Sequence, residues 1–177
     1  MSAPRNPNTA ALEALIEAHA IELKLPTVRR RFRALAAEAL REQQTPIAYL
    51  AALLEAEMAE RAERREKRRL IDARFPQIKR LEDFRFQDNP KVPQATIAAL
   101  AEGSWIDDRE SVIFIGDSGT GKTMLATALA VSACHQGRRV RFTTLAALAN
   151  ELQEAQGNRE LARVIGRYAR TELVLLD

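Results

Sequence analysis

The chain carries at positions 116–123 the octapeptide Gly116-Asp117-Ser118-Gly119-Thr120-Gly121-Lys122-Thr123. These residues fit the pattern G-x-x-x-x-G-K-[ST], which is typical of a phosphate-binding loop between a strand and a helix. The apolar run at 112–115 predicts a buried strand before the loop, and the apolar periodicity of 124–133 predicts a helix after it. The sequence therefore predicts a P-loop. The alternative is a glycine-rich turn that only connects two elements.

The residue types of this loop suit a bound phosphate. Glycine at Gly116, Gly119 and Gly121 lets the main chain wrap closely around an anion, partly at positive φ. Successive N–H groups and the N-terminus of the following helix add partial positive charge. Lys122 supplies a full charge for the β- and γ-phosphates, and the Thr123 hydroxyl can join the shell of a Mg²⁺ ion. We therefore expect all eight loop residues to bind a nucleotide.

Composition limits the kinds of protein to consider. The 177 residues are enough for one or two small domains, and 46% apolar with 29% charged residues is typical of a soluble globular chain. No apolar run approaches the roughly 20 residues of a membrane helix, and residues 1–8 lack the apolar core of a secretory signal. The single cysteine, Cys134, excludes an internal disulfide, so we expect a cytoplasmic protein without a membrane partner in which Cys134 is a buried packing residue.

Apolar periodicity predicts a basic α-helical N-terminal domain over residues 1–76, closed by Pro76. Its three expected helices lie at residues 9–25, 27–44 and 47–73. Residues 1–80 hold 16 lysines and arginines against 11 acidic residues, whereas residues 81–177 hold 11 against 13. The basic excess of a chain with a formal net charge of +3 therefore lies in this domain. A connector over 77–111 is expected to follow.

Four arginines occupy five positions of the second expected helix: Arg29, Arg30, Arg31 and Arg33. One explanation is a solvated helix face whose charges pair with acids four positions away, and this suits the later arginines of the third helix. The second helix has no such acid before Glu38. We therefore expect the four arginines to contact the phosphates of double-stranded DNA, in binding that depends on salt and tolerates many sequences.

Residues 112–177 are expected to form an α/β domain. The alternation of strands and helices, with strands at 112–115, 139–143 and 173–176, predicts a parallel sheet with right-handed crossovers and helices on both faces. The last strand is followed by Asp177, which gives the Walker B pattern of four apolar residues and an aspartate. A carboxylate at that strand end would hold Mg²⁺ together with the P-loop hydroxyl. The candidate metal ligands are therefore Thr123 and Asp177.

Taken together, these features resemble the IstB-like transposition-helper ATPases of insertion sequences, an AAA+ group related to DnaC-type helicase loaders. Besides the arginine-rich helices, the P-loop and the Walker B segment, the resemblance rests on Leu53-Leu54-Glu55-Ala56-Glu57, Ala73-Arg74-Phe75-Pro76, Leu81-Glu82-Asp83-Phe84, Val140-Arg141-Phe142-Thr143-Thr144 and Asn150-Glu151-Leu152. It implies an AAA+-like P-loop NTPase that binds ATP with Mg²⁺, binds double-stranded DNA, recruits a partner transposase and assembles as a homo-oligomer.

The sequence departs from that family at two places. Met124 stands where many members have histidine. The chain also stops at Asp177, although in the AAA+ sheet the strand after Walker B inserts between the P-loop strand and the Walker B strand. We therefore expect a truncated fragment whose sheet is incomplete at its C-terminus, with a gap where Thr123 and Asp177 should meet.

The expected truncation bears on catalysis. The residue that polarises the attacking water follows Walker B in related ATPases, as does an arginine finger worth ~10³–10⁵ in rate. We therefore assign no catalytic residue and expect impaired ATP hydrolysis. Two other functions stay open from the sequence: a DnaC-like loader of a replicative helicase, and a non-catalytic nucleotide- or DNA-binding remnant.

Overall fold

The computed structural model describes residues 7–177, and helices dominate this part of the chain. The helices are α1 Pro7–Glu22, α2 Pro26–Arg41, α3 Pro46–Ala73, α4 Gln94–Glu102, α5 Ser104–Asp107, α6 Lys122–His135, α7 Leu145–Gly157 and α8 Leu161–Tyr168. The strands are β1 Val140–Thr143 and β2 Leu173–Leu176. Two 3-10 turns, Leu81–Asp83 and Phe86–Asp88, lie between α3 and α4. No helix among the described residues is long and apolar enough to cross a membrane.

Contacts divide the described chain into two compact units, one ending at Arg65 and the other spanning Glu66–Asp177. The division falls inside α3, whereas the sequence placed the end of an N-terminal domain at Pro76; the first six residues of that expected domain lie outside the described ones. Helix α3 has 28 residues and is therefore about 42 Å long. This length lets its last turns, including Leu70 and Ala73, pack into the core of the second unit.

A small apolar core holds the first unit together. Its buried members are Ala20, Val28, Phe32 and Leu53, one or more from each of the three helices. Tyr49 of α3 packs against this core and donates a hydrogen bond of 3.2 Å to the main-chain oxygen of Phe32. The three helices begin and end within a few residues of the bounds expected from apolar spacing and proline.

The N-terminus of α2 is closed by a carboxylate from α3. Glu57 Oε2 accepts the main-chain N–H groups of Thr27 at 2.8 Å and Val28 at 3.1 Å. The Thr27 hydroxyl donates to Glu60, also on α3, at 3.1 Å. Pro26 begins α2 and has no N–H to satisfy. A buried acid from a neighbouring helix thus takes the place of a local capping side chain.

The sheet of the second unit is parallel, as expected. Strands β1 and β2 pair in a register that runs from Val140 opposite Leu173 to Thr143 opposite Leu176. One apolar cluster joins this sheet to α6 and the end of α3, with Ala73, Ala130, Ala133, Cys134, Val140 and Leu175 buried in it. Burial raises the pKa of the Cys134 thiol to about 11, in keeping with the expected packing residue.

The strand expected at residues 112–115 is absent from the sheet. No other segment of residues 7–177 pairs with it, and Ile113 and Ile115 are 79% and 91% exposed. A groove of about 690 Å³ separates this segment from β2, with Ala126 and Leu129 of α6 among its lining. A strand needs a neighbour for its N–H and C=O groups, so the segment leading into the loop stays unpaired. The described sheet therefore contains two of the three strands expected.

Candidate functional site

The loop over residues 116–121 leads directly into α6. Gly119 has φ 80° and Gly121 has φ 85°, a left-handed conformation that only glycine adopts without strain. Gly121 is the residue before the first turn of α6, and its carbonyl accepts the N–H of Leu125 at 2.9 Å. The N–H groups of that first turn have no acceptor within the helix and carry its partial positive charge. The loop therefore presents donors where an anion would bind.

Within the loop, one main-chain carbonyl gathers two side chains. The oxygen of Asp117 accepts from the Lys122 ammonium at 2.5 Å and from the Thr120 hydroxyl at 2.9 Å. The side chains of Asp117 and Ser118 are exposed. The Lys122 charge is thus held over the loop, close to the helix N-terminus, by a neutral acceptor that a phosphate oxygen can replace.

The two candidate metal ligands meet. The Thr123 hydroxyl donates to Asp177 Oδ1 at 2.7 Å, although 54 residues separate them. The main chain fixes Asp177 at this point, because its N–H donates to Thr143 O at 3.1 Å and its main-chain oxygen accepts from Leu145 N at 3.1 Å. The two side chains therefore meet, contrary to expectation, although the groove between residues 112–114 and β2 leaves the expected gap in the sheet beside them.

These residues fit a nucleotide with Mg²⁺. A threonine hydroxyl and an aspartate carboxylate are the hard oxygen donors that Mg²⁺ prefers. Within the described part of the chain, no group of three or more His, Cys, Asp or Glu side chains could hold a metal ion. Thr123 and Asp177 supply two oxygens, and Mg²⁺ of this kind completes its shell with water and substrate phosphates.

Sequence reasoning missed one wall of this site. Phe84 is 6% exposed and lies directly against Gly121. Phe86 stacks edge-on against it with ring centroids 4.8 Å apart. The available signal was the Phe-x-Phe pattern at 84 and 86, but spacing alone does not identify the glycine that such a ring contacts.

The four predicted DNA-binding arginines do not share one environment. Arg30 forms an ion pair with Glu60, and Arg33 forms ion pairs with Glu13 and Glu17 at 2.6 Å each. These acids belong to α1 and α3, so the sequence neighbourhood of α2 gave no sign of them. Two arginines, Arg29 and Arg31, are exposed and have no ion pair within residues 7–177. The described structure thus leaves two of the four guanidinium groups available.

Residues 18–177 match the protein family described as "IstB-like ATP binding protein". A protein of Sinorhizobium fredii (strain NBRC 101917 / NGR234), named as an insertion sequence ATP-binding protein, is 36% identical over 157 residues, which are 88% of this chain and 53% of that protein. The ATP-binding protein of insertion sequence IS21 from Pseudomonas aeruginosa is 31% identical over 155 residues, 88% of this chain and 58% of its own length.

A third relative, from Mycobacterium tuberculosis (strain ATCC 25618 / H37Rv) and named as an ATP-binding protein in an insertion sequence, is 36% identical over 129 residues. That match covers 73% of this chain and 51% of the relative. The chain therefore spans about half the length of the curated relatives it matches. Because the family match covers most of the chain, from the second half of α1 to Asp177, the chain belongs to the IstB-like ATP binding protein family.

Proposed function

We propose that this chain binds ATP with Mg²⁺ at residues 116–123 and Asp177, and acts in the transposition of an insertion sequence. The observation that carries the proposal is the 2.7 Å hydrogen bond between Thr123 and Asp177 at the N-terminus of α6. It brings a phosphate-binding loop and two magnesium-type ligands to one place. The names of the relatives, which describe insertion-sequence ATP-binding proteins, support the biological setting.

The first test is a titration of a fluorescent ATP analogue with Mg²⁺ into the 177-residue chain. Lys122→Ala removes the charge that faces the phosphates, and we expect it to weaken binding by about 100-fold or more. Lys91→Ala removes the same charge at an exposed connector position and should leave the affinity unchanged. The proposal fails if the folded chain does not bind the analogue, or if Lys122→Ala binds it as well as the unmodified chain.

We also propose that the N-terminal unit contacts the phosphates of double-stranded DNA, with Arg29 and Arg31 as the principal contacts. Both are exposed on α2 without an ion pair within residues 7–177. Arg30 and Arg33 can join them only by exchanging a carboxylate partner for a phosphate, because each is already ion-paired. An arginine guanidinium can donate two parallel hydrogen bonds to the oxygens of one phosphate, and its binding releases counterions from the DNA.

Fluorescence anisotropy with a labelled duplex at several salt concentrations tests this proposal. The double change Arg29→Ala with Arg31→Ala should weaken binding of the duplex. It should also make the slope of log association constant against log salt concentration less negative by about 0.9 for each phosphate that is no longer neutralised. The matched control is Arg159→Ala with Arg170→Ala, which removes the same charge from exposed positions of the second unit. An unchanged slope in the α2 variant would contradict the proposal, and tighter binding to a single strand than to the duplex would favour the helicase-loader function.

Three further parts of the function follow from the same proposal. We expect the protein to recruit a partner transposase, to assemble as a homo-oligomer, and to turn over ATP slowly as this 177-residue chain. Co-purification with the transposase of the same element tests the first, and light scattering with and without nucleotide tests the second. Multiple-turnover ATP hydrolysis at the rate of an active ATPase would contradict the third.

A further inference from the structure

The connector contributes a buried aromatic ring to the underside of the phosphate-binding loop. Phe84 follows the 3-10 turn Leu81–Asp83, in which its N–H donates to Leu81 O at 3.1 Å. A hydrogen bond of 3.1 Å from the Arg80 N–H to Asp83 Oδ2 closes the same turn. The ring belongs to a cluster whose buried members are Phe84, Ile97, Leu125 and Leu129. This turn therefore holds the ring against the start of α6.

The contact with the loop is close. A methyl group built on Gly121 would lie 2.7 Å from Phe84 Cε2 and 3.5 Å from Cζ, so the ring occupies the space where a side chain at 121 would stand. By contrast, a methyl group on Gly119 would meet nothing within 4 Å. Gly121 therefore has two separate reasons to be glycine, its left-handed φ of 85° and the Phe84 ring. Only the first reason can be read from the P-loop pattern.

We propose that Phe84 is a positioning residue for the proposed nucleotide site: its ring, packed against Gly121, holds the phosphate-binding loop in the shape that accepts the β- and γ-phosphates. This inference rests on the proposed function. Phosphate-binding loops act through main-chain N–H groups that must converge on the anion, so small displacements of the loop lower affinity. The ring contacts Gly121 of the loop, and it acts by excluding other backbone conformations at that residue.

The first measurement compares two truncations within one apolar cluster. Phe84→Ala and Ile97→Ala each remove a buried side chain, 6% and 5% exposed, but only Phe84 contacts Gly121. At a temperature where circular dichroism shows both variants folded, we expect Phe84→Ala to weaken binding of the Mg²⁺–ATP analogue about tenfold or more. Ile97→Ala should lower the melting temperature without changing the dissociation constant by more than about twofold. Phe84→Leu, a milder change, should fall between Phe84→Ala and the unmodified chain.

A double-variant cycle isolates the ring contact from general destabilisation. In the unmodified chain, the new methyl group of Gly121→Ala clashes with the Phe84 ring, and the residue also has an unfavourable positive φ. In the Phe84→Ala background the clash is removed, and only the conformational cost of the positive φ is left. The double variant should therefore bind no more weakly than Gly121→Ala alone. The inference is overturned if the fold-increase in dissociation constant of the double variant equals the product of those of the two single variants. An unchanged dissociation constant in Phe84→Ala also overturns it.

Hydrogen exchange gives a readout that does not require nucleotide binding. In protein without added nucleotide, Phe84→Ala should speed exchange of the Leu125 amide, which donates to the Gly121 carbonyl at 2.9 Å, relative to Ile97→Ala, because the loop then samples other conformations. Equal exchange in the two variants overturns the inference. If the unmodified chain does not bind the ATP analogue, the proposed function fails and the role of Phe84 in the nucleotide site fails with it. Binding by the unmodified chain together with an unchanged dissociation constant in Phe84→Ala overturns this inference alone.

Discussion

At the scale of single residues, the polar side chains of the candidate site are hydrogen-bonded to oxygen atoms of the protein. The Lys122 ammonium is bonded to the carbonyl of Asp117, and the Thr123 hydroxyl to Asp177. Each of these partners offers an oxygen, as a phosphate or a hydrated Mg²⁺ ion would. The side chains are therefore already directed to the start of α6, and binding exchanges one set of oxygen contacts for another.

The role of Asp177 can be separated from that of Lys122 by Mg²⁺. We expect Asp177→Asn to reduce the affinity gained on adding Mg²⁺ by about tenfold, equivalent to ~1.4 kcal/mol, because the metal shell then has one anionic oxygen fewer. Affinity for the ATP analogue in EDTA should stay the same. The measurement is a pair of titrations, with Mg²⁺ and with EDTA, and Asp108→Asn serves as a control at an exposed aspartate outside the loop. Equal loss in both conditions would mean that Asp177 has a structural role only.

At the scale of elements, the features set by neighbouring residues in the sequence could be predicted, whereas those that depend on contacts between distant residues could not. The bounds of the first three helices followed from proline and apolar spacing. The Thr144 side chain caps α7 by a local contact, accepting from Ala147 N at 3.1 Å. The loop and the β2 aspartate were readable as motifs. The predicted strand at residues 112–115 is not formed, because a strand requires a second segment of the chain to pair with it, and the local sequence does not show whether one is there. The acids that pair with Arg30 and Arg33 likewise come from other helices.

The buried capping acid of the first unit gives a second prediction. Burial alone would raise the pKa of Glu57, but the N–H groups of Val28 and Thr27 and the Arg61 guanidinium outweigh it and hold the pKa below its ordinary value. Because the folded pKa is depressed, the stabilisation is fully present above the unfolded-state pKa of about 4.3 and is lost as pH falls through the lower folded pKa. Acid should therefore unfold this unit cooperatively with protonation of Glu57.

Substitution tests the same acid at neutral pH. Glu57→Ala leaves the N–H groups of Thr27 and Val28 without an acceptor and removes the ion pairs of Glu57 with Arg61 and Arg64. We therefore expect a loss of about 3–5 kcal/mol in the free energy of unfolding of the first unit. Glu55→Ala, an exposed acid of the same helix, should cost less than about 0.5 kcal/mol. Urea unfolding followed by helical circular dichroism measures both. A loss in Glu57→Ala no larger than that in Glu55→Ala would show that α2 does not depend on this cap.

At the scale of the whole molecule, the two proposed activities lie in different compact units. The arginines of α2 belong to the unit that ends at Arg65, and the loop and Asp177 belong to Glu66–Asp177. Helix α3 is the covalent link, since it runs without interruption through the division. The connector adds a contact within the second unit, because Phe84 touches Gly121 of the loop. The loop and the connector over residues 77–111 are therefore in direct contact through this pair.

The unpaired segment before the loop determines how the 177-residue chain behaves in solution. Ile113 and Ile115 are exposed beside main-chain groups that no described segment pairs, and exposed apolar strand-like edges favour association. We expect the purified chain to associate as its concentration rises, and the double change Ile113→Lys with Ile115→Lys to suppress this, since added charge at an edge opposes pairing. Light scattering across a concentration series measures the effect.

The control separates edge pairing from a general gain in charge. Leu40→Lys with Ile47→Lys adds the same charge at side chains that are 85% and 81% exposed, but these residues lie in helices and not in an unpaired strand-like segment. This variant should associate like the unmodified chain. Equal suppression by both variants would assign the association to surface hydrophobicity and not to the unpaired segment.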